Sequence, residues 1–166
     1  CHHVIEPGAN HQASSYTEGW NLNHHLVVRV VSKLLIPFIL LFGLYVQFHG
    51  DFGPGGGFQA GVIFASALIL YALVFGLENA RKVAPDSIIR LGMVTGVLLY
   101  GFTGVASLLL GGNYLDYSYL SGNPVSGQHL GIFVVELGVG ITVCSVMIAI
   151  FFGFAGRNHK LDKLEE

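Results

Sequence analysis

The chain has 166 residues, 52% of them hydrophobic and only 11% charged, with a formal charge of −2 and a mean hydropathy of +0.63. This balance excludes an ordinary soluble domain, and the lack of a basic patch outside a few short loops excludes a nucleic-acid binder. Its cysteines, Cys1 and Cys144, cannot form a disulfide framework.

The first polar stretch, to about Asn23, is rich in His and contains Gly, Pro and Ser, so weak order is expected. Residues 1–22 read as a disordered or extraneous tail: a processed end, a truncated product or a foreign remnant. A leading Cys also suits a lipoprotein, but lipidation outside the cell conflicts with the orientation derived below. His2, His3, His11, His24 and His25 lack the Cys/His spacing of a structural zinc site, and neither metal nor cofactor is expected.

Apolar residues then form four blocks, at about 27–48, 57–77, 88–110 and 130–155, each near the ~20 residues that a helix needs to cross a bilayer. The fold class is therefore all-α integral membrane, with four transmembrane helices in a domain over 23–156 and a polar C-terminal tail over 157–166. Arg29 and Lys33 lie in the first block, where their long stems suit snorkelling to the headgroups. Arg81, Lys82 and Arg90 join the second and third blocks, and Arg157, Lys160 and Lys163 follow the fourth, while the other two loops hold no Lys or Arg. The positive-inside rule then makes both termini and the middle loop cytoplasmic and turns the 49–56 and 111–129 loops outward.

The first outer loop is the most distinctive segment: His49-Gly50-Asp51-Phe52-Gly53-Pro54-Gly55-Gly56-Gly57-Phe58-Gln59-Ala60-Gly61. Consecutive glycines and a proline allow a tight connection lying close against another backbone. It is not a phosphate-binding loop, because Phe58-Gln59 stands where a Lys-Ser/Thr pair is required and no buried strand precedes it. Two readings stay open. The turn merely closes a hairpin between spans, or His49 and Asp51, which titrate in different ranges, hold or pass a proton at its mouth.

Gly57/Gly61 in the second span and Gly92/Gly96 in the third have the four-residue spacing that lets membrane helices approach closely, although Gly is also simply common in such helices. Tyr114, Tyr117 and Tyr119 in the second outer loop fit an aromatic belt or an ordered loop equally. Glu136 is the one acid well inside an apolar block. Ionisable residues there usually face protein or water and often mark ion paths, but Glu136 follows Leu130 by only about 9 Å of helix and is within reach of the outer interface. An ion path and a structural polar contact are both consistent with it, and His49, His129, water or another subunit are its candidate partners.

The stretch carried by His49, Gly50, Pro54, Gly55, Gly56, Gly57, Phe58, Gln59 and Gly61, with the four-span plan and Pro37 in the first span, resembles the MnhB/MrpB-type subunit of multisubunit Na⁺/H⁺ antiporters. The resemblance covers about 23–156. It implies a non-catalytic subunit of the bacterial plasma membrane that packs against larger subunits related to respiratory complex I, in a complex exchanging cytoplasmic Na⁺ for external H⁺. Glu136, His49 and Asp51 are then the candidate ion-pathway residues. Pro54, Gly55, Gly56, Gly57, Phe58 and Gly61 are the candidates for subunit or helix packing. The implied partners are other antiporter subunits, the lipid bilayer, and Na⁺ and H⁺ passing through the complex. The alternative is a scaffold subunit of a related membrane-bound hydrogenase-type complex with no ion contact. An enzyme is not expected, since no nucleophile–base pair or metal cluster recurs at one membrane depth.

The charge asymmetry predicts that cysteines introduced in the 111–129 loop are labelled by an impermeant thiol reagent from outside whole cells, whereas those beside Arg81 or Lys160 are protected. The opposite labelling would invert the orientation.

Overall fold

The computed structural model describes the backbone of residues 9–50 and 55–162, with side chains over 26–50 and 55–157 except residue 119. The described residues form helices α1 (Ala9–His49), α2 (Gly57–Phe75), α3 (Leu77–Val83), α4 (Asp86–Leu109) and α5 (Pro124–Asp162), with one 3₁₀ turn at Tyr117–Leu120. Four are long and apolar enough to cross a membrane, over Leu26–His49, Gly57–Phe75, Asp86–Leu109 and Pro124–Arg157. These match the four expected spans, with two differences that have local causes. The second span stops at Phe75 because Gly76 takes φ 92 and ψ 151, a conformation that breaks the helix before the short amphipathic α3. The fourth starts six residues earlier than its apolar block, because Pro124 occupies the first helical position and the Asn123 side chain accepts from the Val125 amide at 3.2 Å.

α5 lies between α2 and α4, and α1 packs on α2. Gly57 and Gly61 of α2 face Glu136 and Gly140 of α5 in that order, so these helices run parallel. Gly92 faces Ser145 and Gly96 faces Thr142 and Gly138, so α4 runs antiparallel to α5. Consecutive spans thus alternate in direction, and the even count puts both ends of the bundle's chain on one side.

The core is made of small residues. Ala60, Ala65, Ala67, Ala72, Ala80 and Ala84 are buried, whereas Phe38, Leu41, Leu73, Leu98, Phe102 and Phe154 are exposed. Lipid is as apolar as Leu, so large side chains gain little by turning inward, and close backbone approach holds the helices instead. A Cβ at Gly96 would meet Thr142 Oγ1 and, at 2.6 Å, the Gly138 carbonyl, while one at Gly138 would lie 2.8 Å from the Gly96 carbonyl. Hydroxyls within the spans bond back to their own helix, as Thr103 Oγ1 to the Leu99 carbonyl at 2.7 Å and Thr142 Oγ1 to the Gly138 carbonyl at 2.8 Å, which satisfies them where water is absent.

Basic residues gather at one end. Lys33 Nζ lies 5.7 Å from the Phe75 ring centroid, Arg81 bonds Asp86 at 3.2 Å, and the Arg81 guanidinium stacks over Phe152 at 5.3 Å. At the other end the 110–123 loop folds back on the bundle. The Tyr114 ring fills the notch at Gly104 and the Tyr117 ring the notch at Gly131. Burial, and then the nearby phenols of Tyr100 and Tyr114, hold the Tyr117 phenol above its usual range. Tyr114 and Tyr117 therefore belong to an ordered loop.

Gly96→Leu is expected to lower the thermal unfolding midpoint of the solubilised chain, at a cost of about 1–3 kcal/mol from overpacking. Gly101→Leu on the same helix, where a Cβ meets nothing within 4 Å, leaves the midpoint in place.

Candidate functional site: a carboxylate in a glycine cradle

α1 ends at His49 and α2 starts at Gly57, so the turn between them lies at the end of the bundle remote from the arginines. Gly56 caps α2 with φ 126 and ψ 178, a conformation nearly confined to glycine, and its carbonyl accepts the Ala60 amide at 3.1 Å to open the helix. A Cβ on Gly55 would come within 3.0 Å of the Val46 carbonyl, so the chain doubles back tightly on α1.

Glu136 of α5 enters this turn. A Cβ on Gly50 would lie 2.5 Å from Oε2 and 2.7 Å from Oε1 of Glu136, and one on Gly56 would lie 3.0 Å from Oε1. A Cβ on Gly57 would run into the Glu136 backbone carbonyl. The glycines thus clear a space for the carboxylate and let α2 lie against the backbone that carries it. The same contacts fix the depth of Glu136: it is level with the last turn of α1 and the first turn of α2, near one face of the bundle.

Gln47 completes the site and was not singled out in the sequence. It is only 5% exposed, and its Oε1 lies 2.9 Å from where a Gly140 Cβ would be. Gly140 is one turn beyond Glu136, and Gly50 is one turn beyond Gln47, so the amide faces α5 one turn deeper than the carboxylate. Its Nε2 is the one buried side-chain polar atom without a hydrogen-bond partner among the described residues. The available signal was a neutral polar residue three positions before Gly50 in an otherwise apolar block.

Other expected residues are distributed around this centre. His49 is partly buried, and its ring stacks on Tyr45 at 5.1 Å. Phe48 stacks on Phe133 at 5.7 Å, joining α1 to α5 one turn before Glu136. His129 is exposed, Phe58 is 63% exposed, and a Cβ on Gly61 would lie 2.6 Å from the Gly140 carbonyl. Asp51 and Pro54 lie outside the described residues. No group of three or more His, Cys, Asp or Glu that could hold a metal occurs among the described residues.

The bundle and its cradle define a multi-pass helical membrane protein whose one carboxylate well inside a span sits near a single face. Residues 27–149 match the family described as "Domain related to MnhB subunit of Na+/H+ antiporter". The chain is also 35% identical over 134 residues to the protein named "Putative antiporter subunit mnhB2" in Staphylococcus aureus strain Newman, and equally to that of strain COL, covering 79% of this chain and 94% of each relative. The chain belongs to the MnhB family of Na⁺/H⁺ antiporter subunits.

Gly57→Ala sets a methyl against a backbone carbonyl that cannot turn aside. It is expected to cost about 1–3 kcal/mol, read as a lower unfolding midpoint. The atoms nearest an added methyl in Gly50→Ala belong to the end of the Glu136 side chain, which can rotate away, and the midpoint is expected to shift much less. Equal shifts would show that the two glycines are not distinguished in this way.

Proposed function

We propose that this chain is an accessory subunit of a multisubunit Na⁺/H⁺ antiporter in a bacterial plasma membrane, a transport component and not an enzyme, with Glu136 and Gln47 lining part of the ion path on the outer side. The observation that carries this reading is the Glu136 carboxylate set in a cradle of glycines one turn from a buried amide whose Nε2 lacks a partner. Gln47 is buried and Glu136 half-buried; placing such groups in an apolar bundle is costly, and intramembrane carboxylates are retained where ions or protons pass. An amide and a carboxylate together offer oxygen ligands to a desolvated cation and a route for a proton. His49 and Asp51, beside the cradle in the chain, are proposed to take ions or protons to and from it.

The orientation is part of the proposal. Lys33, Arg81 and Arg90 at the end remote from the cradle are assigned to the cytoplasm under the positive-inside rule, and both termini with them. Large exposed side chains on α1 and α4, such as Phe38, Leu41, Leu98 and Phe102, are available to lipid and to the larger complex I-like subunits. The loop glycines, with Pro54 and Phe58, are assigned to packing against those subunits. Alternating exchange needs binding groups reachable from both sides, and no acid lies in the inner half of the four spans beyond the first turn of α4, so the partner subunits supply the remaining groups.

In liposomes the isolated chain is expected to give no Na⁺-dependent proton flux, whereas the whole complex exchanges. Glu136→Gln, which keeps the shape and removes the charge, is expected to abolish most of that exchange while blue-native gels still show the assembled complex. Full exchange by the assembled variant would reduce Glu136 to a packing role, and robust flux from the chain alone would overturn the accessory assignment.

A further inference from the structure

The end of the bundle opposite Glu136 contains a cavity of about 280 Å³ between the first turns of α4 and the last apolar turns of α5. Its rim carries Arg81, Arg90 and Asp86, and its floor is formed by Ile89, Met93, Ala149 and Phe152. We propose that this cavity binds one anionic phospholipid, with the phosphate on the two arginines and an acyl chain over the apolar floor.

Three features point to that ligand. First, two guanidinium groups face one carboxylate, so the rim keeps a net positive charge after Arg81 has paired with Asp86. Second, both guanidinium groups are held in place while keeping free donors. Arg81 spends Nη1 on Asp86 Oδ2 at 3.2 Å and Nη2 on the Phe152 carbonyl at 3.5 Å, and its Cζ lies over the Phe152 ring, 5.3 Å from the centroid. Arg90 donates its Nε to the Asp86 carbonyl at 3.3 Å. A guanidinium has five N–H donors in a fixed fork, so each keeps several for the oxygens of a phosphate. Third, the rim and floor differ in the way an amphiphile requires. Ile89 and Phe152 are buried beneath the charges, and a Cβ on Gly153 would meet nothing within 4 Å, so the wall stays open towards the bilayer. A soluble anion has no use for that floor, whereas basic pockets between membrane helices suit lipid headgroups.

The test uses the full chain in its native complex, solubilised in mild detergent, exchanged into phosphatidylglycerol or phosphatidylcholine and weighed by native mass spectrometry. Phosphatidylglycerol is expected to be retained and phosphatidylcholine, which also carries a phosphate but no net charge, to be lost. Arg90→Gln removes an exposed side chain whose described bond is to its own helix, so the fold persists, and retention should fall about fivefold. Arg29→Gln, in α1 and outside the cavity, should leave retention unchanged. Equal retention of both lipids, no effect of Arg90→Gln, or an equal loss with Arg29→Gln would each overturn the site. Displacement of phosphatidylglycerol by inorganic phosphate alone would show a free-anion site and overturn the lipid assignment.

Discussion

Backbone contact at α5 is the constraint on which the rest of the molecule depends. α2 lays Gly57 and Gly61 on Glu136 and Gly140, while α4 lays Gly92 and Gly96 on Ser145, Thr142 and Gly138. In lipid no hydrophobic force gathers helices, so stability comes from dispersion between surfaces close enough to touch, and glycine and alanine bring them there. This explains why the core is largely alanine and why so many phenylalanines and leucines lie outside it.

The site is a by-product of the same geometry. Gly57 is both the first contact of α2 with α5 and the point where the backbone of Glu136 meets the turn. A side chain there would part the helices, and one at Gly50 would occupy the place of the carboxylate. Helix packing and the position of the acid are therefore one property of the chain. Thr103, Ser107 and Thr142 bond back to carbonyls of their own helices, whereas the Gln47 amide and the Glu136 carboxylate are set where α1 and α2 meet α5.

Much of this was legible in the sequence because it depends on local chemistry. The spans follow from apolar runs, the turn from its glycines, and the close helix contacts from Gly57/Gly61 and Gly92/Gly96. What stayed hidden depends on which face meets which. Gly140 has no small partner at four-residue spacing until α5 is set beside α2, and Gln47 is one polar residue in an apolar block until the turn brings it to α5. The start of α5 was missed because Ser126, Gln128 and His129 dilute the apolar pattern, although Asn123-Pro124 is a helix-start signal.

The length of α5 has a consequence for how the protein sits in its membrane. From Pro124 to Arg157 it runs 34 residues, about 51 Å at ~1.5 Å per residue, against a hydrocarbon layer of about 30 Å. Even a steep tilt of about 40° leaves a projection near 39 Å, so two turns or so of the central helix stand in the headgroup layer. With Tyr117 seated on Gly131, the Pro124 end is clasped by its own loop. The turn that cradles Glu136 holds the same helix again a little further along.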